Sequence, residues 1–126
     1  MRLLVLATVG GGIGAGLRYL VQVGMIRALG AGFPWWTLAI NIVGSFAMGV
    51  VVTLVAQRFD NSAAVRTFLA TGILGGFTTF SAFSLDAAGL IDSKQQAAAA
   101  FYVAGSVGLS ILALYAGIAL TKAALT

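Results

Sequence analysis

The ten residues Gly75 to Ser84, GGFTTFSAFS, gather two adjacent glycines, two threonines, two serines and three phenylalanines inside an otherwise apolar stretch. Adjacent glycines lower helix propensity by about 1 kcal/mol each relative to alanine. Thr and Ser side chains compete for backbone hydrogen bonds. The run therefore predicts a membrane helix that breaks partway across. Non-helical backbone at that depth is tolerated only where protein or a water-filled cavity surrounds it, and half-helix ends and freed carbonyls there suit ion coordination. The chemistry available is hydrogen bonding and ion coordination, not bond making.

Two further stripes carry polar side chains. Thr37, Asn41, Ser45 and Gly49 are spaced by four and share one helix face. The Asn41 amide needs partners in hydrocarbon, where an unpaired polar group costs several kcal/mol. Alone it reads equally as glue between helices or as pore lining; the stripe around it favours a hydrated path. Tyr102, Ser106 and Ser110 also recur every four residues, and Leu114 interrupts that stripe. A lone hydroxyl usually bonds its own i−4 carbonyl, so only the register of three carries weight. Phe80 and Phe83 share a face, as do Ser81 and Ser84. Taken alone, the phenylalanines read as ordinary packing.

Composition specifies the elements that must position these residues. Of 126 residues, 60% are hydrophobic and 8% charged, with mean hydropathy +1.05. A span needs about 20 apolar residues, so the chain fits a single all-α membrane domain, residues 1–126, of four helices. The expected spans are 3–26, 37–57, 65–91 (divided near 75–79) and 97–122. In the first, GGGIGAGLRY (10–19) places Gly10 with Gly14, and Gly12 with Gly16, for close helix packing. No Walker lysine follows and no strand precedes, which argues against a phosphate loop. The glycines, Arg18 and the absence of a clear cleavage site make this stretch a retained helix, not a signal peptide. Arg18 is expected as an interfacial anchor or a buried ion-pair partner. Pro34 with Trp35 and Trp36 marks a loop and an interfacial aromatic belt; 58–66 and 92–96 are polar turns.

With no Cys and no His, disulfides, thiol chemistry and the usual zinc and copper sites are excluded. The three acids are Asp60, Asp86 and Asp92. No nucleophile has an evident activator, so an enzyme is not expected. Asp86 reads as a carboxylate snorkelling to the interface or paired with a basic residue, in preference to a proton relay. No basic cluster with interleaved aromatics points to nucleic acid. Arg2, Arg58, Arg66 and Lys122 fall on one side; Arg27 and Lys94 fall on the other, with Arg18 approaching it. This weak bias is compatible with insertion in both orientations.

Assembled, the stretches GGGIGAGLRY, PWWTLAINIVGSFAMG (34–49) and TGILGGFTTFSAFS (71–84) resemble the Fluc (CrcB) family of fluoride channels. The resemblance covers all four helices, and the third motif is the specific one. It implies an antiparallel, dual-topology homodimer in lipid of the cell inner (plasma) membrane. It implies two passive fluoride pores along the subunit interfaces, exporting cytoplasmic fluoride and relieving its toxicity. It also implies a central structural Na⁺ on the backbone carbonyls of Gly75 and Thr78. The family's pore phenylalanines fall on Phe80 and Phe83, its pore amide on Asn41 and its polar track on Tyr102, Ser106 and Ser110. Thr37, Ser81 and Ser84 complete the candidate pore. Two positions depart from the pattern: Leu114 stands where a threonine commonly extends the track, and Asp86 where relatives carry Glu.

The implied set has a physical logic. Fluoride is small and strongly hydrated, so a path must replace its water closely. Hydroxyls and an amide N–H can donate, and aromatic ring edges carry partial positive charge. None holds an anion as a fixed cation would, and conduction needs binding weak enough for exit. Two other readings compete. A non-conducting membrane scaffold predicts that changes at Phe80 or Asn41 alter assembly only. A small proton-coupled exporter predicts dependence on a pH gradient and on Asp86.

Overall fold

The computed structural model describes residues 1–126 and is helical apart from short connections. Helix α1 covers Arg2–Leu29 and α2 covers Trp35–Arg58. A short α3 (Ala63–Arg66) runs into a π-helical stretch, Thr67–Leu74, and then into α4 (Gly75–Phe77); α5 covers Phe80–Asp92 and α6 Gln96–Leu125. The pieces from Ala63 to Asp92 make up the third of four spans long and apolar enough to cross a membrane. Each span runs one to three residues past its expected ends.

Local chemistry explains those ends. Pro34 caps α2, where its fixed φ and missing N–H cost nothing, and Trp35 enters the first turn. Gly30 ends α1 at φ 78, a conformation that favours glycine, and its N–H donates to Ile26 O. Asp60 and Asn61 turn the second loop at φ 53 and 56, and short polar side chains tolerate that region best after glycine. The Ser62 hydroxyl then caps α3 by accepting from Val65 N–H at 3.3 Å.

Glycines set the packing. Helix α2 lies mainly along α6. Their backbones cross where a Cβ on Gly49 would meet Leu114 O and one on Gly117 would meet Phe46 O. Helix α1 lies along the third span in the same manner. A Cβ on Gly10 would stand 2.6 Å from Phe68 O; one on Gly14 would meet Ile73 O, and one on Gly76 would meet Gly11 O. Small residues permit this approach in a setting where hydrophobic burial drives little. The two glycine pairs of α1 part company here: Gly12 and Gly16 have nothing within 4 Å.

Only 20 of 126 residues are buried, so most apolar side chains face outward, as a lipid-solvated chain can allow. The main cluster joins Leu38, Phe83, Leu90, Ala99 and Tyr102. It ties the start of α2 to α5 and α6, on one side of the polar residues described next.

Candidate functional site

The helix of the third span is interrupted between α4 and α5. Thr78 (φ −82, ψ 157) and Thr79 (φ −152, ψ 123) are extended. The Thr79 hydroxyl then caps α5, accepting from Ala82 N–H at 3.1 Å. Asn41 of α2 holds this point from both sides: its amide N–H donates to Thr79 O at 3.0 Å, and its oxygen accepts from Thr79 N–H at 2.9 Å. One amide thus supplies both bonds that a neighbouring strand would otherwise make.

The neighbouring carbonyls are satisfied unevenly. Leu74 O accepts from Thr78 N–H at 3.0 Å and from the Thr78 hydroxyl at 2.9 Å. Gly76 O accepts from Arg18 Nε at 3.1 Å. Arg18 thus pairs with no acid; it compensates a carbonyl at the interruption. The carbonyls of Gly75 and Thr78 accept no hydrogen bond from the chain. Gly75 is exposed and Thr78 half-buried. No His, Cys, Asp and Glu set of three or more could hold a metal, so any cation here would rest on neutral oxygens.

Beside the interruption lies an open groove of about 390 Å³. Its polar wall includes Asn41, Ser45, Ser106 and Ser110; Phe80 and Phe83 form its aromatic wall. Leu114 lines it too, extending the Ser106–Ser110 row with an apolar side chain. The hydroxyl oxygens of Ser106 and Ser110 are buried and have no partner. That is costly, about 1–3 kcal/mol per group when left unmet, and buried polar groups without partners are few in folded proteins. The ring centroids of Phe80 and Phe83 are 5.4 Å apart and tilted by 50°. Phe83 is 7% exposed, whereas Phe80 is 76% exposed in the single chain.

Four expected pore residues stand outside the groove. Thr37 and Tyr102 both donate to Asp86 Oδ2, at 2.7 and 3.1 Å. Asp86 is therefore held by two hydroxyls; of the two alternatives the sequence leaves, pairing with a basic residue is not seen. Ser84 donates to its own i−4 carbonyl, Phe80 O, at 3.0 Å. The Ser81 hydroxyl oxygen is 3.4 Å from Thr79 Oγ1. Both serines are exposed.

The four spans make this a multi-pass helical membrane protein, with its unpartnered hydroxyls, amide and aromatic rings gathered along one groove. Residues 5–118 match the family described as CrcB-like protein, Camphor Resistance (CrcB). The chain belongs to that CrcB-like family. A relative from Chelativorans sp., named Fluoride-specific ion channel FluC, is 53% identical over 122 residues, covering 97% of this chain and 98% of its own. A relative of the same name from Rhizobium johnstonii is 50% identical over 119 residues, covering 94% and 95%. Another from Rhizobium meliloti is 46% identical over 123 residues, covering 98% of each.

Proposed function

We propose that this protein is a passive, fluoride-selective channel that lets fluoride leave the cytoplasm and so relieves its toxicity. The observation that carries the reading is the pair of buried, unpartnered hydroxyls on Ser106 and Ser110, two residues that line one groove with Asn41, Phe80 and Phe83. A weakly held anion would accept from those hydroxyls and rest against the ring edges. The names of the relatives support fluoride as that anion.

The groove is open along its side, with Phe80 and Gly75 at the surface of the single chain. A second copy covering that face would close the path. The proposed assembly is an antiparallel homodimer with one pore along each side of the interface and helix α3–α5 broken in mid-membrane, seated in the inner membrane. A purified species that conducts as a monomer would contradict it.

The carbonyls of Gly75, an exposed residue, and of Thr78, a half-buried one, fit a hard cation that takes neutral oxygens. In the proposed dimer, both subunits would offer these carbonyls to one central Na⁺, which would supply fixed positive charge near the pores. Arg18 at Gly76 O keeps one of the two intervening carbonyls occupied. Fluoride flux that tracked Na⁺ movement ion for ion would contradict this static role.

Removing the two hydroxyls tests the groove. The double variant Ser106→Ala, Ser110→Ala deletes groups that have no partner in the chain, so the folded protein loses nothing and its melting temperature holds or rises. Fluoride efflux from liposomes falls by about 10-fold or more, because two donors to the ion are gone. Lowered stability with unchanged efflux would make the serines packing residues only.

A further inference from the structure

Asp86 belongs to neither the groove nor the interruption, yet side-chain contacts through Tyr102 and Phe83 connect it to the groove wall. Phe83 walls the groove, and its ring centroid lies 5.2 Å from that of Tyr102. Ser106, one turn after Tyr102 on α6, carries a buried hydroxyl without a partner. Beyond Tyr102 comes the Asp86 carboxylate, and Asp86 also lines a second hollow of about 290 Å³. Pro34, Trp36, Ser93 and Gln95 surround that hollow, which places it at the end of the bundle carrying the α1–α2 and α5–α6 connections. Contacts thus run from the groove through Phe83 and Tyr102 to Asp86 and the hollow.

The hydroxyls at this junction are already committed. Each carries one proton, and both protons go to Asp86 Oδ2, from Thr37 at 2.7 Å and from Tyr102 at 3.1 Å. Neither side chain can swing freely: Thr37 is 2% and Tyr102 0% exposed. The Tyr102 ring is clamped between Phe83 and Phe33, the latter at 5.5 Å and edge-on. An anion that passed from Ser106 toward the hollow would meet a carboxylate whose charge two hydroxyls partly offset. If Tyr102 turned its proton to the anion, the carboxylate would lose half of that compensation.

We infer that Asp86, with the hydroxyls of Thr37 and Tyr102, is the rate-setting anion barrier between the groove and the connection-side hollow. This rests on the groove being an anion path. Asp86 throttles passage, and the two hydroxyls lower the barrier by offsetting its charge. The residue thus acts on the permeating ion by repulsion and not as a binding site for it.

The test uses fluoride efflux from liposomes holding the full-length protein, with melting temperature read in parallel. Asp86→Asn keeps an oxygen to accept from Thr37 and Tyr102, removes the charge and adds a donor; efflux rises by about 10-fold. Tyr102→Phe strips compensation from a charge that stays, and efflux falls by a factor of about 10. In the double variant the charge is gone, so losing the Tyr102 hydroxyl matters little and efflux stays near that of Asp86→Asn. Opposite signs with non-additivity are the signature of the barrier. A scaffold role for Asp86 predicts lower efflux and lower melting temperature in both single variants, and that result would overturn the inference. Should Asp86→Asn fail to fold, Thr37→Val decides: lower efflux at unchanged melting temperature supports the barrier, and unchanged efflux overturns it. A silent parent protein would instead remove the channel reading itself.

Discussion

Asn41→Asp is expected to cut fluoride efflux by about 100-fold or more, with the protein still folded as a membrane-embedded helical bundle. The substitution keeps the oxygen that accepts from Thr79 N–H and removes the N–H that donates to Thr79 O. A carboxylate then faces a carbonyl oxygen at the 3.0 Å position. The same side chain lines the groove, so in the proposed path the new negative charge would also face the anion. Two like charges about 4 Å apart repel by roughly 4 kcal/mol at an effective dielectric of 20, far more than the difference in side-chain size. Efflux reduced by less than about threefold in a folded variant would place Asn41 off the ion path. Circular dichroism and gel filtration establish the folded state, and a fluoride electrode reads the flux.

Gly14→Val should prevent folding outright. A Cβ at Gly14 meets Ile73 O, Phe77 N at 2.8 Å and Ile73 C at 2.9 Å. All three are backbone atoms, so no rotamer change relieves the overlap, and α1 must move away from the third span. Overpacking of this kind costs about 1–3 kcal/mol even where side chains can yield, and here none can. The shift would also pull Arg18, one turn on, from Gly76 O. The expected result is aggregated or degraded protein with no monodisperse peak in detergent. Gly24→Ala serves as the control: a Cβ there has nothing within 4 Å, and alanine is the better helix former by about 1 kcal/mol. A monodisperse Gly14→Val protein with the control's melting temperature would contradict the packing.

The four spans are legible because apolar runs of that length have no alternative in a chain with so few charges. Thr78 and Thr79, the extended pair, lie inside Gly75–Ser84, where glycine and hydroxyl side chains oppose regular helix. Which glycines of α1 would pack was not legible. Gly10 with Gly14 and Gly12 with Gly16 have the same spacing but sit about 200° apart around the helix, and only the neighbouring helix selects a face. The Arg18 bond joins residues 58 positions apart, beyond any local pattern. For Asp86 the sequence leaves open an interfacial carboxylate or one paired with a basic residue; its partners in the structure are hydroxyls from two other helices, which no local pattern points to. Ser84 lies on the same stretch as the phenylalanines, yet its hydroxyl bonds backward along α5, as serines in apolar helices commonly do.

The central claim is that this chain by itself forms a selective, passive path for fluoride. Its most direct test is anion efflux from liposomes containing only the purified protein, with K⁺ and valinomycin clamping the voltage and no proton gradient. Fluoride and chloride release are read in parallel. Rapid fluoride release with little chloride release is the expected result. No fluoride release from folded, verified dimers, or release only under a pH gradient, would contradict it, the first favouring a scaffold and the second a proton-coupled exporter.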